Sequence, residues 1–319
     1  MTFTSLLRFA VAVGFVTPAI LPSVASADEK AIKLVPRWKK GETHQYVRTK
    51  TRTTTNEGRT LVGAKGSTDV TIEVLEAGRE GYLLGWKFGE TTTDDPRVAG
   101  SPLLKRISNL VKGIQFQLKL DSKGAFKGVK NVEQLKKQFT GVIDFVVAAG
   151  KKEGVSDAQL KRIRAGVEAM LLSKQGIEGV MVKEPRIFLM AFGGEFSESH
   201  VLTGQSELQL PIGGLKVAAV VEYRVKSFDK SKDRLVISYT QRIDPKEGAA
   251  KITEMLKKLA AKMGSPAPKG DPLKNLNIVD TAELEFEVST GWPLRVEHSR
   301  TVQLPGRMQR DVITIRRKK

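Results

Sequence analysis

The chain has 319 residues, a formal net charge of +18, 6% aromatic residues and no cysteine. The missing cysteine excludes a disulfide framework, a thiol nucleophile and lipidation at an N-terminal cysteine. The apolar fraction of 40% still leaves material for a core without covalent staples, and the positive balance invites an anionic partner, with a basic proteome or plain solubility as the other reading.

The N-terminus reads as a secretory leader. Arg8 is the only charge before Asp28, Phe9 to Leu21 is a mainly apolar run with helix-weakening Gly14 and Pro18, and Ala25-Ser26-Ala27 is a small-x-small cleavage site. The apolar run is shorter than the roughly 20 residues of a membrane span. The expectation is a signal peptide over 1–27, cleaved after Ala27, and export to the periplasm of a bacterium or beyond. Removing Arg8 with the leader leaves +17. No Asn-x-Ser/Thr acceptor occurs, which fits a bacterial compartment. Export and the scarcity of base-stacking aromatics argue against nucleic acid as a partner.

From Thr43 to Thr55 the residues are Thr-, Tyr- and Val-rich and predict a strand, with a hairpin turn at Asn56-Glu57-Gly58 and a return reaching Leu75. Tyr82, Leu84, Trp86 and Phe88 alternate along the next strand and form the heaviest apolar face in the chain. Thr91 to Gly100 reads as a polar loop. Ser101-Pro102 opens a short helix to about residue 112. Ile114, Phe116, Leu118 and Leu120 predict a half-buried strand, Asp121-Ser122-Lys123-Gly124 a tight turn, and Ala125 to Val129 a short return. Asn131 with Gln134, and Ser156 with Gln159, are capping-box-like pairs for amphipathic helices over 131–149 and 156–174. The join between them is short enough for an antiparallel pair.

Strands are then expected at Phe196 to Leu202, Ser206 to Leu210 and Leu215 to Phe228, with a turn at Asp229 to Asp233 and a return through Leu235, Ile237 and Tyr239. Asp244-Pro245 starts a fourth helix, 245–263, followed by a Pro/Gly/Ser linker. The last segment is a meander. A three-residue loop at Thr290-Gly291-Trp292 would set Glu287 opposite Arg295 and Phe286 opposite Val296. Hairpin-length connections throughout give an α+β class: a curved, mostly antiparallel half-barrel of about ten strands, with amphipathic helices on its concave face, in one domain over 28–319.

Candidate chemistry is sparse. His44, His200 and His298 form no close-spaced metal pattern, and His298 falls on the apolar parity of its strand, as a hydrogen-bonded core histidine would. Ser227-x-x-Lys230 sits in a hairpin turn without the companion motifs of serine acyl-transferring enzymes. Gly63 to Ser67 lacks the order and following helix of a phosphate loop. Glu283, Glu285 and Glu287 read as a solvated strand face, and Glu90 with Asp94-Asp95 as a loop acid cluster. The lysines of the 245–263 helix suit either an anionic membrane or plain solvation of a core-packed helix. No catalytic residue, metal ligand or cofactor site is expected. Tyr82, Trp86, Phe88, Phe116, Tyr239 and Phe286 stand at alternating positions that line either a filled core or an apolar cavity.

A leader, Asp-x-x-Gly at 121–124, Asn131 opening a helix and Ser-Thr-Gly-Trp-Pro at 289–293 together resemble a group of exported bacterial β-rich proteins. In architecture the chain is similar to half-barrel lipoprotein and lipid carriers of the LolA, LolB and LppX types. The missing lipobox cysteine departs from LolB and LppX but not from soluble LolA, and no functional residue carries over. The resemblance implies a non-enzymatic carrier of an apolar or amphiphilic anionic ligand, such as a lipid. The alternative is a basic, envelope-associated structural or interaction protein docked on an anionic polymer or membrane surface.

Overall fold

The computed structural model describes residues 31–173, 176–178, 182–209, 216–244, 254, 277–304 and 306–319. The leader over 1–27 and nearly all of the helix expected over 245–263 lie outside the described residues.

Fourteen strands are described: β1 (Ile32–Lys33), β2 (Thr43–Asn56), β3 (Arg59–Val62), β4 (Gly66–Gly78), β5 (Gly81–Thr93), β6 (Gln115–Asp121), β7 (Phe126–Val129), β8 (Glu195–Phe196), β9 (Leu202–Gln209), β10 (Lys216–Asp229), β11 (Arg234–Ile243), β12 (Asn277–Glu287), β13 (Pro293–Leu304) and β14 (Arg307–Arg317). Twelve of them form one open, curved antiparallel sheet in the order β7-β6-β5-β4-β2-β14-β13-β12-β11-β10-β9, with β3 extending the β4 edge of β2. The expected class is met, with two strands more than the expected ten. β1 and β8 pair separately.

Five helices are described: α1 (Pro96–Ala99), α2 (Pro102–Val111), α3 (Val132–Lys152), α4 (Asp157–Leu171) and α5 (Lys183–Leu189). α1 and the extension of β5 to Thr93 replace most of the expected loop at 91–100. α3 does not stop at Gly150, which is buried inside it. Asn131 makes no side-chain cap. Its Oδ1 accepts from Gln117 N at 2.9 Å and its Nδ2 donates to Gln115 O at 2.8 Å, so it rivets the helix entrance to β6. Ser156 does cap α4, accepting from Gln159 N at 3.4 Å.

α5 was not legible as a helix. It is buried nearly all round, with Lys183 and Glu184 buried beside Ile187, Phe188 and Leu189, so it lacks the one-sided apolar stripe of a surface helix. Ile187, Phe188 and Leu189 are buried, and Met190 to Phe192 continue the plug. The core cluster runs from Leu118 and Trp86 at one side of the sheet to Val221 and Tyr223 at the other, with α3, α5 and the segment 32–38 filling it.

The β12–β13 register also differs from expectation. Glu285 faces Arg295 and Leu284 faces Val296, with a bulge placing Phe286 opposite Pro293. The connection is longer because Gly291 N bonds Glu287 O and Trp292 turns its ring into the core. The shift is two residues, so each side chain keeps its face.

Candidate functional site

Two motifs that looked like plain turn signals meet on the segment 35–38. In the first, Asp121 Oδ1 accepts from Lys123 N and Ala125 N at 3.0 and 2.9 Å. Gly124 adopts φ +86°, and a Cβ there would stand 2.9 Å from Pro36 Cδ and 3.0 Å from Phe192. In the second, Gly291 has φ +77°, and a Cβ would stand 2.7 Å from Val35 O. Arg37 donates to Val288 O and Ser289 O, both at 2.9 Å. Trp38 stacks on Trp292 at 4.5 Å, and Trp292 Nε1 donates to Glu42 at 2.8 Å.

The six candidate lining residues sit on the inner face, each against an aromatic ring. Tyr82 meets Trp38, and its hydroxyl donates to Pro36 O at 2.8 Å. Trp86 meets Phe188, Phe88 meets Phe116, and Phe116 meets Phe139 of α3. Tyr239 meets Tyr223, and Phe286 meets Phe192. Phe88 also borders an open depression of about 420 Å³ whose other lining residues, Thr71, Glu73, Lys87, Gly89, Gly113 and Gln115, are mainly polar.

Further along the same inner face the apolar pattern breaks. Cross-strand pairing aligns Gln241, Asp280, Arg300, Asp311 and Arg52 in one row over five strands. Arg300 grips Asp280 through Nε and NH2 at 2.7 and 2.6 Å, and Arg52 grips Asp311 at 2.6 and 2.8 Å. Such paired forks are the strong form of the ion pair. Arg48 reaches Glu184 of α5 at 2.7 Å. His298 Nε2 lies 3.4 Å from Asp280 Oδ1, in the buried position its parity predicted. Gln241 donates to Ser206 Oγ at 2.6 Å, while its buried Oε1 has no hydrogen-bond partner among the described residues. Beyond the row lies a second apolar cluster of Leu208, Val217, Ala219 and Ile278, flanked by Ile243 and Val302.

The belt is unbalanced in charge. Its described inner-face cations are Arg48, Lys50, Arg52, Lys183 and Arg300, against Asp280, Glu184 and Asp311. Lys50 is half-buried between Arg48 and Arg52 along β2, and no hydrogen bond or ion pair engages its ammonium among the described residues. Burial lowers its pKa, with Glu184 opposing and Arg48 adding to the shift. Burial likewise brings Lys183 down to about 8, with Arg300 pushing the same way and Asp280 opposing. For Asp280, burial would raise the pKa, but Arg300 and His298 outweigh it and hold the carboxyl well below its usual range. Burial keeps His298 below the ordinary histidine value despite Asp280.

The remaining sequence candidates are scattered. His44 packs on the Trp292 ring at 4.4 Å, and His200 is exposed beside Ser197 and Ser199. Among the described residues no three metal-capable side chains cluster. Ser227 lies in β10 and Lys230 in the turn after it. Lys65 N donates to Asp94 at 2.7 Å in a bend with no helix after it. The glutamate stripe is ion-paired on the outer face: Glu283 with Lys226, Glu285 with Arg234, and Glu287 with Arg317.

No family model matches the chain, and no curated protein does. Among solved structures, a chain from a study titled as lipid-protein interactions in lipovitellin aligns with 89% of this chain at 9% identity and a TM-score of 0.45. This protein spans 26% of that chain's length. An outer membrane channel from Pseudomonas putida F1 aligns over 93% of this chain and 100% of its own length, at 7% identity and a TM-score of 0.15.

Proposed function

We propose that this is a non-enzymatic binding or carrier protein for an anionic amphiphile, exported by a bacterium after cleavage at Ala27. The observation that carries the reading is Lys50. A half-buried ammonium that feels Glu184 and Asp311 only at a distance, with no direct ion pair or hydrogen bond among the described residues, is costly in a protein interior. An acidic head group would supply the missing charge among Lys50, Arg48 and Arg52. Val302, half-buried on β13 two strands over from β2 and four residues beyond the His298 row of Lys50, offers apolar surface for the tail, backed by the buried Ile278. The aromatic part of the inner face is filled by α5, α3 and residues 32–38, so it serves here as the wall that holds the belt in place.

Native mass spectrometry of gently purified protein tests this, with lysophosphatidylglycerol as the added probe. The expected result is a one-to-one adduct that weakens about tenfold in Lys50→Met. A chain that stays empty with the probe present, or a Lys50→Met variant that binds it equally, would overturn the reading.

A further inference from the structure

One end of the sheet carries an apolar tip that the core does not explain. Leu61 is 67% exposed, Val62 73%, and Leu304 and Met308 38% each. All four belong to two neighbouring hairpins. The β13–β14 hairpin pairs with β2, and β2 pairs with β3; Arg307 lies opposite Asn56, which lies opposite Arg59, and Glu57 N bonds Gly306 O at 2.8 Å.

The register assigns the four residues to both faces. Leu61 pairs with Thr54 and Leu304 with Arg307, on the inner face. Val62 pairs with Thr53 and Met308 with Thr55, on the outer face. A protein partner or a second copy would cover one face of a sheet. A tip greasy on both faces suits a medium that surrounds it. The exposed Arg59 and Arg307 rim this tip, and neither has an ion-pair partner among the described residues. Glu57 is the acidic residue between them.

We infer that this end of the protein inserts into the surface of an anionic lipid bilayer. Leu61, Val62, Leu304 and Met308 enter the boundary between head groups and acyl chains, while Arg59 and Arg307 meet the phosphates. Buried apolar area and attraction to acidic lipid are the two terms that set such binding. The inference does not rest on the amphiphile reading: a chain that carries no ligand still docks in this way.

Co-sedimentation with phosphatidylcholine vesicles, with and without phosphatidylglycerol, tests it, alongside sedimentation of the protein alone. The wild-type chain is expected to bind the acidic vesicles and to release them in high salt. Leu61→Ser/Val62→Ser and Arg59→Gln/Arg307→Gln should each weaken binding about tenfold, with unchanged thermal melting because all four side chains are exposed. Equal binding by these variants, equal binding to neutral and acidic vesicles, or no binding by the wild type would overturn the inference. So would self-association of the protein alone that Leu61→Ser/Val62→Ser abolishes, since a second copy would then be the occupant.

Discussion

Arg300 and Asp280 face each other across β13 and β12, joined by two hydrogen bonds of 2.7 and 2.6 Å and exposed by only 2% and 0%. Removing one partner strands the other charge in the core. Arg300→Met should therefore cost about 3 to 5 kcal/mol. Replacing both, as Asp280→Leu with Arg300→Met, should recover much of that loss, because two apolar chains of similar volume leave neither half of this pair stranded. Urea denaturation of the two variants checks the order.

Alkaline pH should stabilise the protein before it destabilises it. Lys183 is held down to about 8 in the fold and has the ordinary lysine value when unfolded. Above pH 8 the unfolded chain binds more protons at this site, so stability rises with pH. The full shift is worth about 3 kcal/mol. From about pH 10 the buried Tyr46, Tyr223 and Tyr239, whose pKa values burial raises, oppose the gain, because the unfolded chain loses their protons first. Denaturation midpoints between pH 7 and pH 10 should climb in the wild type and climb less in Lys183→Met, where the smaller contribution of the lowered Lys50 remains.

The plug is a packing element with measurable weight. Phe188 meets Tyr46 at 5.1 Å and Trp86 at 5.4 Å, and is fully buried. Phe188→Ala should cost about 3 to 5 kcal/mol, read as a lower denaturation midpoint with an unchanged slope.

The turn at Gly124 carries both a backbone and a contact demand. With φ at +86° and Pro36 and Phe192 within about 3 Å of a would-be Cβ, Gly124→Ala is strained and crowded at once. A loss of about 1 to 3 kcal/mol is expected. Protease cleavage near residues 35–38 should speed up as that segment loosens. Gly58→Ala, at φ +81° but with open space around it, should cost less.

Local chemistry was readable in the sequence where it acts within a few residues. The Asp121–Gly124 turn, the Glu57–Gly58 hairpin, the α4 cap and the alternation of Tyr82 to Phe88 all belong to that kind. α5 escaped because a helix buried on every side has no periodic stripe, and only its length and Pro185 near its start marked it. The charged belt left a trace: Arg52, Gln241, Asp280, Arg300 and Asp311 all fall on the apolar parity of their strands. The sequence could not show that they share one row, because register between strands as distant as β2 and β14 comes from the tertiary fold. The same gap hid the meeting of the two turn motifs on residues 35–38.

The seam between β2 and β14 joins the first long strand to the last. A chain emerging from the ribosome holds the edge of β2 that β14 covers unmatched until β14 arrives, and among the described strands the two halves of the sheet have no direct ladder between them before then. Joining of the two halves thus waits for β14 and closes a very long loop, the kind of pairing that slows folding. Loss of the last strand would leave two half-sheets with raw edges, a state prone to aggregate rather than a smaller version of the protein.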